Sequence, residues 1–211
     1  MSESRKILVV NTNTDSADAG NTENTLRWAL EQTQKGEGSY EIIFQRGDNQ
    51  EYSNSFGTGY WTFELDSPLP TLELSDIRIN FSVPKSIVII PKNAKLNADG
   101  EYLHGQVGNA PLLTISNPLK KHNFYNYPNY NLAHAVGNLI PKVALNEVNF
   151  VHSIVKGQNG TNGDGGGGGG GGGLGAGAGI LLGIGELEVQ NSVFQNLEVI
   201  GGKGGKGVGD H

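Results

Sequence analysis

Glu64 and Asp66 stand two residues apart in Trp61-Thr-Phe-Glu-Leu-Asp66, on one face of an alternating strand pattern. A carboxylate pair on one face is a geometry for general acid–base chemistry. Asp15 with Asp18, and Glu73 with Asp76, make two further close acidic pairs. No base or nucleophile pattern accompanies them, so all three pairs read as solvated carboxylates. The five histidines, His104, His122, His134, His152 and His211, show neither H-x-H nor H-x-x-x-H spacing, so no local metal motif forms. Cysteine is absent, which excludes thiol nucleophiles, thiolate zinc sites and disulfides. Tyr125, Tyr127 and Tyr130 lie in a stretch crowded with Asn, Tyr and Pro. Their rings form a candidate ligand-contact loop, the alternative being a loop pinned by its own aromatics. No catalytic, cofactor-binding or metal-binding residue is expected.

Glycine motifs need the same scrutiny. Nine consecutive glycines, Gly165–Gly173, satisfy G-x-G-x-x-G trivially, but no βαβ pattern surrounds them. The phosphate-loop pattern fails, since Lys203 and Lys206 are each followed by Gly. Gly204-Gly-Lys-Gly-Val-Gly-Asp210 approaches the calcium nonapeptide G-G-x-G-x-D with its Asp one residue late. The expectation is no cofactor, with calcium the one metal left open. The tract itself has two physical fates. It forms a loop of high conformational entropy, or it runs extended against the second glycine segment, Gly201–Gly209.

Composition narrows the classes. The chain has 211 residues, of which 33 are glycine, and 23 of those lie after Lys156. Net charge is −6, with 15 acids against 9 bases in residues 1–102 and 6 against 6 beyond. All four arginines precede residue 79, so a basic, phosphate-reading surface is not expected. No window holds the ~20 apolar residues of a membrane span. Ile7–Val10 is too short for the core of a cleavable signal peptide.

The elements that would position these residues are short strands. Ile7–Val10, Tyr40–Phe44, Trp61–Leu65, Leu72–Leu74, Ile77–Phe81, Ile87–Ile90 and Leu112–Ile115 are β-branched, aromatic or alternating, and arrive every ten to fifteen residues. One helix is expected over 23–35. Leu26, Ala29, Leu30 and Thr33 share a face, Thr22 or Asn24 caps the start, and Lys35-Gly36 stops it. Residues 117–142 read as an insertion.

A shift of 44 residues lays Val143, Leu145, Phe150 and Val155 onto Leu187, Val189, Phe194 and Val199. The same shift lays Gly157, Gly160 and Gly163 onto Gly201, Gly204 and Gly207. A shift of 68 lays Ala110-Pro-Leu-Leu-Thr-Ile115 onto Ala178-Gly-Ile-Leu-Leu-Gly183. Fixed-period similarity predicts a β-solenoid: a mainly β, right-handed parallel β-helix with one capping helix. The expected organisation is a cap over 1–60, then coils over 61–211 with glycine-rich loops at 157–179 and 201–209. Strands from Trp61 onward should be parallel, with Phe150 and Phe194 both pointing inward.

The order of motifs resembles the N-terminal region of large bacterial secreted or surface β-helix proteins related to polymorphic outer-membrane proteins. Val10-Asn-Thr-Asn-Thr-Asp-Ser16, Asn24-Thr-Leu-Arg-Trp-Ala-Leu30 and Glu41-Ile-Ile-Phe44 carry its first part. Ser67-Pro-Leu-Pro-Thr-Leu72, Asp76-Ile-Arg-Ile-Asn80, Gly177-Ala-Gly-Ile180 and Asn191-Ser-Val-Phe194 carry the rest. Asn196 falls one place early for that family's stacked-asparagine ladder. The resemblance implies a non-catalytic segment serving adhesion or envelope structure, secreted or on the cell surface. A carbohydrate-active enzyme and a glycan-binding phage tip are the alternatives. Expected partners are glycans or other surface components, and further coils or an oligomer partner beyond the last strand, with no nucleic acid. The chain is read as an N-terminal fragment of a longer protein.

Overall fold

A computed structural model describes residues 5–15, 23–36, 38–45, 61–73, 77–82, 87–99, 102–116, 140–163, 168–183 and 185–207. The short apolar runs form strands because their β-branched and aromatic residues fit a pleated, buried surface. In chain order the elements are β1 (Lys6–Val10), α1 (Leu26–Thr33), β2 (Gly38–Phe44), β3 (Trp61–Leu65), β4 (Ile77–Ser82) and β5 (Ile87–Pro91). Then come β6 (Lys95–Leu96), β7 (Tyr102–Leu103), β8 (Leu113–Ile115), β9 (Lys142–Asn146) and β10 (Val148–Val151). The last are β11 (Ile154–Lys156), β12 (Ile180–Leu182), β13 (Glu186–Gln190), β14 (Phe194–Gln195) and β15 (Glu198–Ile200).

The expected right-handed parallel β-helix is corrected here. The described strands form five separate sheets: β1-β2-β4-β9-β13, β14-β10-β5-β3, and the pairs β11-β15, β12-β8 and β6-β7. They do not make one continuous solenoid. Three features divide them. β6 and β7 turn back on each other antiparallel. Leu72–Ile115 and Gly105–Ser153 meet through single bridges rather than ladders. Glu147, His152, Asn191 and Asn196 sit at positive φ and end one strand as the next begins in another sheet.

Parallel pairing is nevertheless the rule within the larger sheets. Leu187 lies beside Val143 and Val189 beside Leu145, Phe194 beside Phe150, and Val199 beside Val155. The offset of 44 is therefore a pairing register. The offset of 68 is wrong by one: Ile180 pairs with Leu113, not Leu112. A slip of one residue exchanges the two faces of a strand, so composition alone could not fix it. Phe150 is fully buried, whereas Phe194 is 43% exposed and stacks on it at 5.5 Å between ring centroids. Phe194 lies in register with Phe150 and stacks on it, so it faces the same side as expected but is left half-exposed. β14 is the edge of its sheet among the described residues, so no described strand covers it.

The helix is shorter than its pattern. Thr25, not Thr22 or Asn24, is the cap, its Oγ1 accepting the Trp28 N–H at 3.1 Å. Asn24 instead adopts φ 66°, which Asn tolerates. Gln34 closes the far end, rather than Lys35-Gly36. Leu26, Ala29 and Leu30 are buried in one cluster with Val10, Phe44, Trp61, Phe63 and Phe150, and Trp28 packs partly buried against it. That single core runs through residues from both sides of position 60.

Candidate functional site

Beyond β11 and β15 glycine takes at least every third position and the 44-residue register continues. Residues 157–163, 168–173 and 201–207 lie together, and each segment donates to a different neighbour. Gly157, Gly160 and Gly163 N–H groups donate to the carbonyls of Ile200, Lys203 and Lys206 at 2.7, 2.8 and 2.8 Å. Gly170 and Gly173 donate to Thr161 and Gln158 at 2.8 and 2.7 Å. Gly202 and Gly205 donate to Gly173 and Gly170 at 2.9 and 2.7 Å, which closes the triangle. Every step along a segment is three residues. That is the period of extended polyproline-II-like helices, which have no internal hydrogen bonds and must satisfy their amides sideways. None of the glycines at positive φ, namely Gly38, Gly108 and Gly177, belongs to these segments. Asn159 and Asn162 complete the bundle, their Oδ1 atoms accepting the N–H groups of Lys203 and Lys206 at 2.8 and 2.9 Å.

Close approach explains why the residues are glycine. A Cβ at Gly160 would fall on the Gly170 carbonyl, at Gly169 on that of Gly205, and at Gly172 on that of Gly202. At Gly202 and Gly205 it would fall on the carbonyls of Gln158 and Thr161. All are closer than real Cβ atoms come, so the inward position of each turn must be bare. The outward positions are different. A Cβ at Gly168, Gly171 or Gly201 would meet nothing within 4 Å, and at Gly204 only the Gly170 carbonyl at 3.8 Å. The second and third segments thus expose a face without side chains, with exposed Lys203 and Lys206 at the adjoining position of each turn. Of the two fates open to the glycine tract, residues 168–173 take the packed one.

The acidic pairs are placed otherwise. Asp15 receives Arg27 Nε at 2.7 Å and Nη2 at 2.8 Å, and the Asp66 N–H at 3.1 Å. Arg27 also donates to the carbonyls of Pro68 and Ser67 at 2.7 and 2.9 Å. Both side chains of this pair are buried. Three stretches that carry the family resemblance therefore meet at one guanidinium, a residue the sequence reading passed over. Its signal was a lone Arg inside an otherwise apolar helical stripe. Glu64 is exposed, and Asp66 holds Lys92 at 2.9 Å, whose pKa is raised chiefly by that hydrogen bond. Asn13, Thr14, Asp15, Thr62, Glu64 and Lys92 line an open cleft of about 330 Å³. Asp15 spends its oxygens on Arg27 and the main chain, Asp66 holds Lys92 and does not line the cleft, so Glu64 and Asp66 do not face it as an acid–base pair.

His152 is buried at a left-handed corner, its Nδ1 3.2 Å from Asn196 Nδ2. Burial first, then the neighbouring His104, lowers its pKa below the ordinary 6.5. His104 faces Glu198 at 3.5 Å. Asn196 pairs with His152 instead of an asparagine, and the asparagine contact falls at another corner, from Asn191 Nδ2 to Asn146 Oδ1 at 3.0 Å. Among the described residues no three His, Asp or Glu side chains gather to hold a metal. Gly204 and Gly205 of the calcium-like stretch are part of the glycine bundle, while Asp210 lies outside the described residues. Tyr125, Tyr127, Tyr130, His122, His134, His211 and most of the 117–142 insertion lie outside them as well. No helix among the described residues is long and apolar enough to cross a membrane. Comparison with family models, curated proteins and solved structures gives no match.

Proposed function

We propose that this chain is a non-catalytic segment of a secreted or surface-displayed bacterial protein, serving adhesion or envelope structure, and that the glycine bundle is its recognition surface. One observation carries the reading. Three segments of the residue that loses most freedom on folding are locked together to present a bare, regular face to solvent. A loop that only connected strands would not require glycine at every inward position of each turn. A rigid surface that binds without rearranging loses little conformational entropy on association. The stretches that carry the resemblance to polymorphic outer-membrane-type surface proteins also pack against one another, at Asp15, Arg27, Ser67 and Pro68.

A glycan array run beside a turnover assay on acidic polysaccharides tests the reading. Binding without turnover is expected. Hydrolysis or elimination by the chain would replace it with the carbohydrate-active-enzyme reading.

A further inference from the structure

We propose that the ligand of the glycine face is an extended acidic polysaccharide whose charges are widely spaced, lying along the bundle with its anionic groups at Lys203 and Lys206. The inference rests on the glycine bundle being the recognition surface, and it adds the ligand's class. Three observations carry it.

The first is shape. Gly168 and Gly171 on one segment and Gly201 and Gly204 on the next have no atom closer than 3.8 Å at the Cβ position, so these four positions form a bare patch, bounded at one end by exposed Leu174. A chain of flat, hydroxyl-bearing rings can lie directly on main-chain amides there, as a ligand with projecting side chains cannot. The second is charge. Lys203 and Lys206 are one turn apart on the third segment and both exposed. Their main-chain N–H groups are fixed by Asn159 and Asn162, so the two positions are held in place. The third is spacing. Three residues at a rise of ~3.1 Å set the two positions about 9 Å apart along the axis.

That spacing selects among polyanions. A duplex strand carries one phosphate per ~3.4 Å of axis, so most of its charge would face bare glycine. A polysaccharide charged on every second ring has far sparser anions and matches the lysine row better. The chain's net charge of −6 further opposes a densely charged polymer, which would meet the remaining acidic surface.

The test is a titration of the full chain with hyaluronate, in which a uronate alternates with a neutral ring, against dextran and double-stranded DNA as comparators. Expected are binding to hyaluronate that weakens with salt, little binding to dextran, and at least a tenfold loss of affinity in the double variant Lys203→Gln, Lys206→Gln. Failure of the wild type to bind hyaluronate would overturn the inference. So would an unaltered affinity in the double variant, or tighter binding of the DNA. The variant Gly171→Leu, placed where a side chain has room, separates this from the reading beneath it. If Gly171→Leu abolishes polysaccharide binding while the lysine variant does not, the anionic class falls and the glycine face stands. If neither variant changes binding, both fall. Matching melting transitions for wild type and variants show that the fold is intact in each case.

Discussion

At the scale of single residues, two buried polar groups govern stability. His152 is held neutral by burial and by His104, so its pKa in the folded chain lies below that in the unfolded chain. As pH falls below about 6.5, the unfolded chain takes up a proton that the folded one resists, and stability is lost. The melting temperature should therefore drop between pH 7 and pH 5. His152→Asn, which tolerates the same left-handed corner as Asn196, should flatten that drop. Equal pH slopes in the two proteins would show that acid acts elsewhere. Arg27 is the second case. Its guanidinium satisfies Asp15 and two carbonyls in a buried site, so Arg27→Ala leaves a buried carboxylate without its charge partner. Urea unfolding should show a loss of about 3–5 kcal/mol. A loss under 1 kcal/mol, the range of an exposed pair, would contradict the burial.

At the scale of elements, the glycine segments behave as a threefold object, and substitution should follow that period. Gly172→Ala drives a methyl onto the Gly202 carbonyl, and overpacking of this kind costs about 1–3 kcal/mol. Gly171→Ala, one residue away, meets open space at a φ that is not positive. It should stabilise by about 0.4–1 kcal/mol, because alanine restricts the unfolded chain more than glycine does. Opposite signs at adjacent positions, read by thermal denaturation, are the expected outcome. The same sign at both would remove the case for a three-residue period. The period was already written in the sequence, as Gly157, Gly160, Gly163 and as Lys203, Lys206. It was hidden because nine glycines in a row show no period of their own. The helix was legible from Leu26, Ala29 and Leu30, but its cap was not. Thr22, Asn24 and Thr25 all qualify by type, and only the backbone shows that Thr25 accepts the Trp28 amide.

At the scale of the molecule, strand positions and the 44-residue offset could be read from apolar spacing, since like residues meet like in a parallel pair. Closure into a solenoid could not. Whether neighbouring ladders join depends on corner conformations such as those of Glu147 and Asn191, and on the antiparallel turn of β6 and β7, none of which hydrophobic period encodes. Nor did composition reveal Arg27, because a buried cation looks like a surface one until its four hydrogen bonds are placed. One consequence belongs to the whole assembly of sheets. Among the described residues, β12, β13, β14 and β15 are each an outermost strand of their sheet. Leu182, Val189, Phe194, Val199 and Ile200 on them, and Val193 just before β14, are between 39% and 52% exposed. A sheet edge flanked by exposed apolar side chains is a template for pairing with another chain. The protein should associate increasingly with concentration, and charge on this row should prevent it. Val189→Lys is the sharpest variant: Val189 shares the face of buried Leu145 but is itself 39% exposed at the sheet edge, so the ammonium keeps solvent in the single chain and would be buried by a second copy. Sedimentation across a concentration series should show a growing larger species for the wild type and a constant, smaller one for Val189→Lys. A wild type that stays at one size throughout would show that this edge does not pair with itself.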